Sequence, residues 1–314
     1  MLVELHAQTD VGRVRQGNED NFLVLDLTTE RSWTGSEGDA PPDGLSRFDC
    51  GPRGVVLAVS DGMGGALAGD VASRMAVETV REMLVEDDTT RQADGRPVGG
   101  EPPLIDAVRN ATTYANFAIH RRSLEDARCS GMGATLTAAA VAGGHVDLVQ
   151  IGDSRAYVIR GGEIRLATKD QSLVQQLVDV GQITEEDAET HMFRNVILQA
   201  LGAQSDLTPV VSRVPLRRGD LLLLCSDGLS GKLRGEEIRE IVGSAGADLA
   251  AACDALVREA NARGGEDNIT VVLARFDGED LSAAGPDAIS VENSQADTGN
   301  IPHDTSEEDT SPIP

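Results

Sequence analysis

The stretch Val146-Asp-Leu-Val-Gln-Ile-Gly-Asp153-Ser-Arg-Ala-Tyr-Val-Ile-Arg160-Gly-Gly-Glu163-Ile-Arg-Leu-Ala167 decides the fold. Strand-like runs at 146–151 and 156–160 follow one another through tight turns such as Arg160-Gly-Gly-Glu163. Turns this short join antiparallel neighbours, because a parallel pair needs a crossover of a dozen or more residues. Further β-branched and apolar runs lie at 22–27, 55–60, 135–141, 220–226 and 269–276. Apolar residues at helical spacing mark 68–85, where Val71, Met75, Val80 and Leu84 fall roughly on one face, and also 104–121 and 248–262. The chain reads as α+β, an antiparallel sheet with helices and not a doubly wound parallel sheet. It shows no internal repeat.

Two internal stretches interrupt this pattern. Residues 28–53 contain Gly-Ser-Glu-Gly-Asp-Ala-Pro-Pro-Asp-Gly, and residues 86–103 contain Gly-Arg-Pro-Val-Gly-Gly-Glu-Pro-Pro. Both read as surface loops inserted in one domain, 1–276. Residues 277–314 hold ten acidic side chains and no Lys or Arg, and read as a disordered acidic tail.

Composition narrows the function. Apolar residues make up 40% of the 314, enough for a buried core, but aromatics only 3%, so packing rests on aliphatic side chains. A formal net charge of −25 argues against partners made of nucleic acid or anionic membrane. The cysteines Cys50, Cys129, Cys225 and Cys253 are scattered and indicate neither a zinc site nor a disulfide framework. No apolar run approaches the roughly 20 residues of a spanning helix, and the N-terminus lacks a basic region followed by an apolar one. A cytoplasmic monomer is the expectation.

The chemistry concentrates in aspartates beside apolar strands. Asp61 ends Val-Leu-Ala-Val-Ser-Asp-Gly-Met-Gly-Gly, Asp153 lies in Ile-Gly-Asp-Ser-Arg, Asp227 ends Leu-Leu-Leu-Leu-Cys-Ser-Asp-Gly, and Asp267 precedes a strand in Gly-Gly-Glu-Asp-Asn-Ile-Thr. A strand end projects a side chain from a rigid scaffold, and hard cations such as Mg2+ and Mn2+ take carboxylate, carbonyl and water oxygens. The glycine of Asp61-Gly62 permits a sharp turn and leaves its carbonyl uncovered as a second ligand. One Asp-Gly is usually just a turn; two Ser-Asp-Gly triplets ending apolar runs, with two further aspartate motifs, are not readily dismissed. Near the N-terminus, Arg15 precedes Glu19 and Asp20. An arginine fork suits a phosphate, and the two carboxylates suit metal-bound waters.

Taken in order, Thr9-Asp-Val-Gly-Arg-Val-Arg-Gln-Gly-Asn-Glu-Asp20, Ser-Asp-Gly-Met-Gly-Gly, Gly131-Met-Gly-Ala-Thr-Leu136, Ile-Gly-Asp-Ser-Arg, Thr168-Lys-Asp-Gln-Ser172, Ser-Asp-Gly-Leu-Ser and Gly-Gly-Glu-Asp-Asn-Ile-Thr resemble the metal-dependent protein phosphatases of the 2C type, in their compact bacterial branch. The resemblance implies a four-layer α/β/β/α sandwich, two antiparallel sheets face to face with helices on both outer faces. It implies hydrolysis of phosphoserine and phosphothreonine on proteins by a metal-activated water, with Mn2+ or Mg2+, two per active site and a third in some bacterial relatives. Asp61 would bridge the cations, the Gly62 carbonyl would bind the first, and Asp227 and Asp267 would complete the second. Glu19 and Asp20 would hold metal-bound waters, Arg15 the phosphoryl group, and Asp153 with Asp227 the third cation. The partners would be phosphorylated proteins, including a Ser/Thr kinase or its targets.

One position departs from the family. Many eukaryotic relatives carry His after the metal-binding Asp-Gly, and here it is Met63, which cannot donate a proton. His120, His145 and His191 are the mid-chain candidates for that role, His191 the strongest. Residues 168–203 should include a flap beside the site. The alternative reading is a non-catalytic phosphoprotein-binding module on the same fold; it would predict a lost metal ligand, and Asp61, Asp227 and Asp267 are all present.

Overall fold

A computed structural model of the chain describes residues 1–38, 40–64, 68–86, 103–285 and 288–294. Strands β1 (Leu2–Asp10), β2 (Asp20–Asp26), β3 (Arg31–Thr34), β4 (Arg47–Asp49) and β5 (Val55–Met63) lead into helices α1 (Ala68–Glu86) and α2 (Leu104–Glu125). Next come β6 (Gly133–Ala134), β7 (Leu136–Ala142), β8 (His145–Ile151), β9 (Arg155–Arg160) and β10 (Glu163–Leu166), then short helices α3 (Leu173–Asp179) and α4 (Glu185–Thr190). The chain continues through β11 (Val210–Pro215), β12 (Asp220–Cys225), α5 (Asp227–Ser230), α6 (Gly235–Ala245), α7 (Leu249–Ala262), β13 (Ile269–Asp277) and β14 (Glu292–Ser294).

The strands form two sheets, in the orders β10-β9-β12-β13-β1-β4 and β14-β11-β8-β7-β5-β2-β3, with β6 on β5. Every pairing is antiparallel. The turn at 161–162 closes the hairpin β9–β10, and both glycines have positive φ, +56° and +89°, as the tight hairpin turn requires. Gly152 and Asp153 do something else. They carry the chain from β8 in one sheet to β9 in the other, so this tight turn crosses between layers and closes no hairpin.

Alternation along each strand separates the layers. On β5, Val55, Leu57 and Val59 join the core between the sheets while Val56 and Ala58 face α1 and α2; on β12, Leu222 and Leu224 face that core while Leu223 and Cys225 face α6 and α7. Both sheets are covered on both faces, which is why the strands read as continuous apolar runs. The layer order is α1/α2, sheet, sheet, α6/α7: the expected four-layer sandwich.

Two expectations need correction. Residues 28–53 are not merely a surface loop. They add β3 to the edge of one sheet and β4 to the edge of the other, and bury Trp33, Leu45 and Phe48 in the central core. Trp33 meets Phe22 edge-on, ring centroids 4.9 Å apart, and its Nε1 donates to the Gly38 carbonyl at 2.9 Å. Likewise the segment after residue 277 is ordered in part: Leu281 and Ile289 are buried, β14 pairs with β11, and the N-terminal ammonium lies 2.8 Å from Asp280. Of the second expected insertion, 87–102 lie outside the described residues, as do 295–314 of the expected tail.

Candidate metal centre

The carboxylates singled out in the sequence meet at one end of the sandwich, contributed by both sheets. Asp20 opens β2 and Asp61 lies near the end of β5, and the two are direct partners across that ladder. Asp227 does not end a strand as expected: β12 stops at Cys225 and Asp227 is the first residue of α5. Asp267 stands just before β13, the neighbour of β12. Ser226 Oγ donates to Asp20 Oδ2 at 2.7 Å, a bond between the sheets, and itself accepts the Thr270 N–H at 3.0 Å. Thr135 fixes Asp61 in turn: the Asp61 N–H donates to Thr135 Oγ1 at 2.9 Å and the Thr135 N–H to the Asp61 carbonyl at 2.8 Å.

Glu19 approaches through its backbone. Its carbonyl accepts the Gly62 N–H at 3.1 Å, and its own N–H donates to Asn268 Oδ1 at 2.8 Å. A Cβ at Gly62 would lie 2.1 Å from the Gly69 carbonyl oxygen, so only glycine lets β5 and the start of α1 come this close. Asn268, buried, also donates through Nδ2 to the carbonyls of Val11 and Gly17 and so ties down the loop that carries Arg15. Arg15 Nη2 lies 2.8 Å from Asp267 Oδ2.

Electrostatics show what the cluster would accept. Burial, followed by the charges of Asp227 and Asp267 against hydrogen bonds from Ser226 and Thr270, pushes the Asp20 carboxyl up to about 7. Burial and the neighbouring Asp227 and Asp170 carry Asp153 to about 7 as well. Asp61 is raised well above the ordinary range by desolvation and then by Asp20, Asp227, Asp153 and Asp267, although it keeps some exposed surface; Asp227 and Glu19 are also raised, chiefly by desolvation. Asp20 Oδ1 and Asp227 Oδ1 are buried with no hydrogen-bond partner. Like charges held this way with orphaned oxygens are relieved by a cation among them.

The donor set fits hard divalent ions. Its side chains offer carboxylate oxygens; Cys225 near them is buried, its thiol pushed up to about 12 and therefore neutral. Among the described residues, no group of three or more His, Cys, Asp or Glu side chains closes round a single point.

Asp153 stands on the turn between sheets, where Gly152 exchanges backbone and side-chain bonds with Gln171, and Arg155 grips Asp170 through both oxygens at 2.7–3.1 Å. These bonds fasten Asp170 and Gln171, at the start of the stretch expected to include a flap, to the Asp153 turn. Met63, two residues beyond Asp61 at the end of β5, is exposed. The histidines are engaged elsewhere: His120 Nδ1 lies 2.9 Å from the Gly202 carbonyl, His145 is 3.3 Å from Asp147, and His191 Nδ1 accepts the Phe193 N–H. Ser226, Asn268, Thr135 and Asp170 each lie inside or beside a conspicuous motif, but their bonds in and around the cluster appear only in the folded chain.

The family model of protein phosphatase 2C matches residues 42–274. The "Serine/threonine phosphatase stp" of Listeria monocytogenes serovar 1/2a is 34% identical over 286 residues, covering 90% of this chain and 100% of that one. "Protein phosphatase PhpP" of Streptococcus pneumoniae serotype 2 is 39% identical over 230 residues, 72% of this chain and 87% of its own. Among solved structures, the Mycobacterium tuberculosis serine/threonine phosphatase PstP/Ppp superposes with a TM-score of 0.70 at 33% identity, over 88% of this chain and 100% of that one. The PstP catalytic domain has also been solved in complex with two manganese ions, and gives a TM-score of 0.68 at 33% identity over the same shares. On motif order, fold and these similarities together, the chain belongs to the protein phosphatase 2C family.

Proposed function

We propose that this chain is a metal-dependent protein phosphatase that hydrolyses phosphate esters of serine and threonine side chains. The observation that carries the reading is the carboxylate cluster built from both sheets, with buried orphaned oxygens and raised pKa values. The two manganese ions in the PstP relative make Mn2+ the first cation to test, with Mg2+ beside it. Asp61 and the Gly62 carbonyl would hold one ion, and Asp61, Asp227 and Asp267 the other. Asp153 with Asp227 would offer a weaker third position. When bound, such a pair supplies a water acidic enough to act as nucleophile near neutral pH and positive charge beside the phosphoryl oxygens.

The chain's own groups do the rest. Arg15, on the loop that Asn268 ties down beside the cluster, reaches the phosphoryl oxygens with its guanidinium fork and offsets their charge as the ester bond breaks. Glu19 and Asp20 orient ordered waters, Asp20 itself fixed by Ser226. Met63 provides no proton, so the leaving oxygen draws one from water ordered by these carboxylates. Substrates are phosphorylated proteins, a Ser/Thr kinase or its targets among them. The net charge of −25 disfavours nucleic acid and anionic membrane as partners. A cytoplasmic monomer is part of this proposal; among the described residues no helix is long and apolar enough to cross a membrane.

The test is hydrolysis of a phosphothreonine peptide in Mn2+ with and without EDTA. Turnover that EDTA abolishes is expected. A folded, Mn2+-loaded protein without turnover would overturn the reading in favour of a binding module.

A further inference from the structure

Helix α2 carries a buried asparagine whose side chain bonds nothing in its own helix. Asn116 is 1% exposed. Its Oδ1 accepts the Gly202 N–H at 2.8 Å, and its Nδ2 donates to the carbonyls of Gln204 and Ser205, each at 3.0 Å. Its neighbours Ala115 and Ile119 pack in the apolar core under the sheet. A carboxamide there is costly unless paired, so its bonds to one short segment are what make it tolerable. One turn on, His120 Nδ1 approaches the Gly202 carbonyl. Gly202 has φ +82°, and a Cβ on it would lie 2.3 Å from Ile119 Cγ2, so the segment is pressed against α2.

That segment ends the flap. Leu201 pairs with Ala134 by two backbone bonds of 2.7 and 3.1 Å, and Ala134 and Gly133 on β6 are the partners of Gly62 and Met63 on β5. Farther back, the Leu198 N–H donates to the Gln171 carbonyl and the Leu173 N–H to that of Val196. Exposed Phe193, Val196 and Leu198 therefore belong to a stretch tied at one end beside Asp153 and at the other beside Met63. The Ala134 rung is backbone to backbone; beyond it, among the described residues, the polar tie from 202–205 to α2 is the Asn116 side chain, with His120 beside it.

We infer that Asn116 is a positioning residue. It clamps residues 202–205 to α2 and so sets the apolar flap stretch against the Met63 edge, which governs how a phosphorylated polypeptide, as opposed to a small phosphate ester, reaches the centre. The inference rests on the phosphatase reading above. Asn116 touches none of the reacting groups.

The test uses the full chain in Mn2+ with two variants. Asn116→Asp keeps an acceptor for Gly202 and loses both donors; Asn116→Leu keeps the volume and loses all three bonds. Amide hydrogen exchange across 196–205 should quicken in both, more in the leucine variant, with β5 and β13 unchanged. For a phosphothreonine peptide, kcat/KM should fall about tenfold, mainly through KM, while para-nitrophenyl phosphate stays within about twofold. Parallel losses on both substrates with exchange raised throughout would reduce Asn116 to a stability role and overturn the inference. Unchanged exchange at 196–205, or quickened exchange with peptide kinetics unaltered, would overturn it too. A parent protein without turnover would remove the phosphatase reading instead, and the exchange data would still decide the clamp.

Discussion

Arg15 Nη2 donates to Asp267 Oδ2 at 2.8 Å, joining the group suited to a phosphate to a carboxylate suited to a cation. The two jobs compete for the same bond. A cation at Asp267 withdraws its charge from Arg15 and frees the guanidinium for a phosphoryl group, so ion and substrate should bind cooperatively. Arg15→Lys keeps a charge but loses the planar fork. It should lower kcat/KM on a phosphothreonine peptide by about 10- to 100-fold, the worth of one charge-assisted bond. Inhibition by inorganic phosphate should weaken in step, and undiminished phosphate inhibition would refute the role.

Asp227→Asn should act in opposite directions on activity and on the metal-free protein. Removing a ligand should cut Mn2+-dependent turnover by more than about 100-fold, since even outer-shell partners of metal ligands cost 10- to 100-fold. In EDTA the same change removes one of several crowded carboxylates whose pKa values are raised, so the melting temperature should rise. Full activity in the variant would contradict its assignment as a ligand.

The pH dependence has a definite sign. Unfolded aspartate titrates near 3.9, whereas Asp20 and Asp153 in the folded chain titrate at about 7, with Asp61 raised in the same direction. Between those values the folded state holds protons that the unfolded state has released. Stability of the metal-free protein therefore falls as pH rises from about 4 to about 7, then levels. Asp126, lowered to about 2 by Arg128, completes its own titration below that window. Melting curves in EDTA should decline across it, and the gain from Mn2+ should grow. A melting temperature in EDTA that climbs with pH over this range would contradict the cluster's electrostatics.

Ending the chain at Asp277 should destabilise it. The cut removes β14 and the buried Leu281 and Ile289. At about 1.5–3 kcal/mol for each buried aliphatic side chain, the loss is about 3–6 kcal/mol, or roughly 6–24 °C in melting temperature. A chain ending at Ser294 keeps these contacts and is the reference. Equal melting temperatures for the two would show that the segment contributes nothing.

The segments that misled the sequence reading share a cause. Trp33, Leu45 and Phe48 are separated by Gly, Pro and charged residues, so no period of two or 3.6 appears among them, yet each fills a place in the core between the sheets. Leu281 and Ile289 are isolated in the same way within an acidic run. Edge strands held by one or two anchors carry too few residues to register as a pattern; their burial depends on which sheet edge is open beside them.

At the candidate site, the residue types and their order were legible because each carboxylate flanks a strand apolar on both faces, a local arrangement that hard-cation chemistry favours. Legible from the chain alone were the antiparallel class, the helices at 68–85, 104–121 and 248–262, and the acidic residues Glu19, Asp20, Asp61, Asp153, Asp227 and Asp267, while α6, which covers the second sheet, was not. Strand pairing and the packing of the two sheets, by contrast, place Asp20 and Asp61 on one ladder, bring Ser226 across to Asp20 from the other sheet and set Arg15 against Asp267. Those contacts join residues more than 200 apart in the cases of Ser226–Asp20 and Arg15–Asp267. They exist because two sheets buried on both faces can stack only with their inner apolar faces together, which brings the strand ends, and the charges they carry, to the same edge.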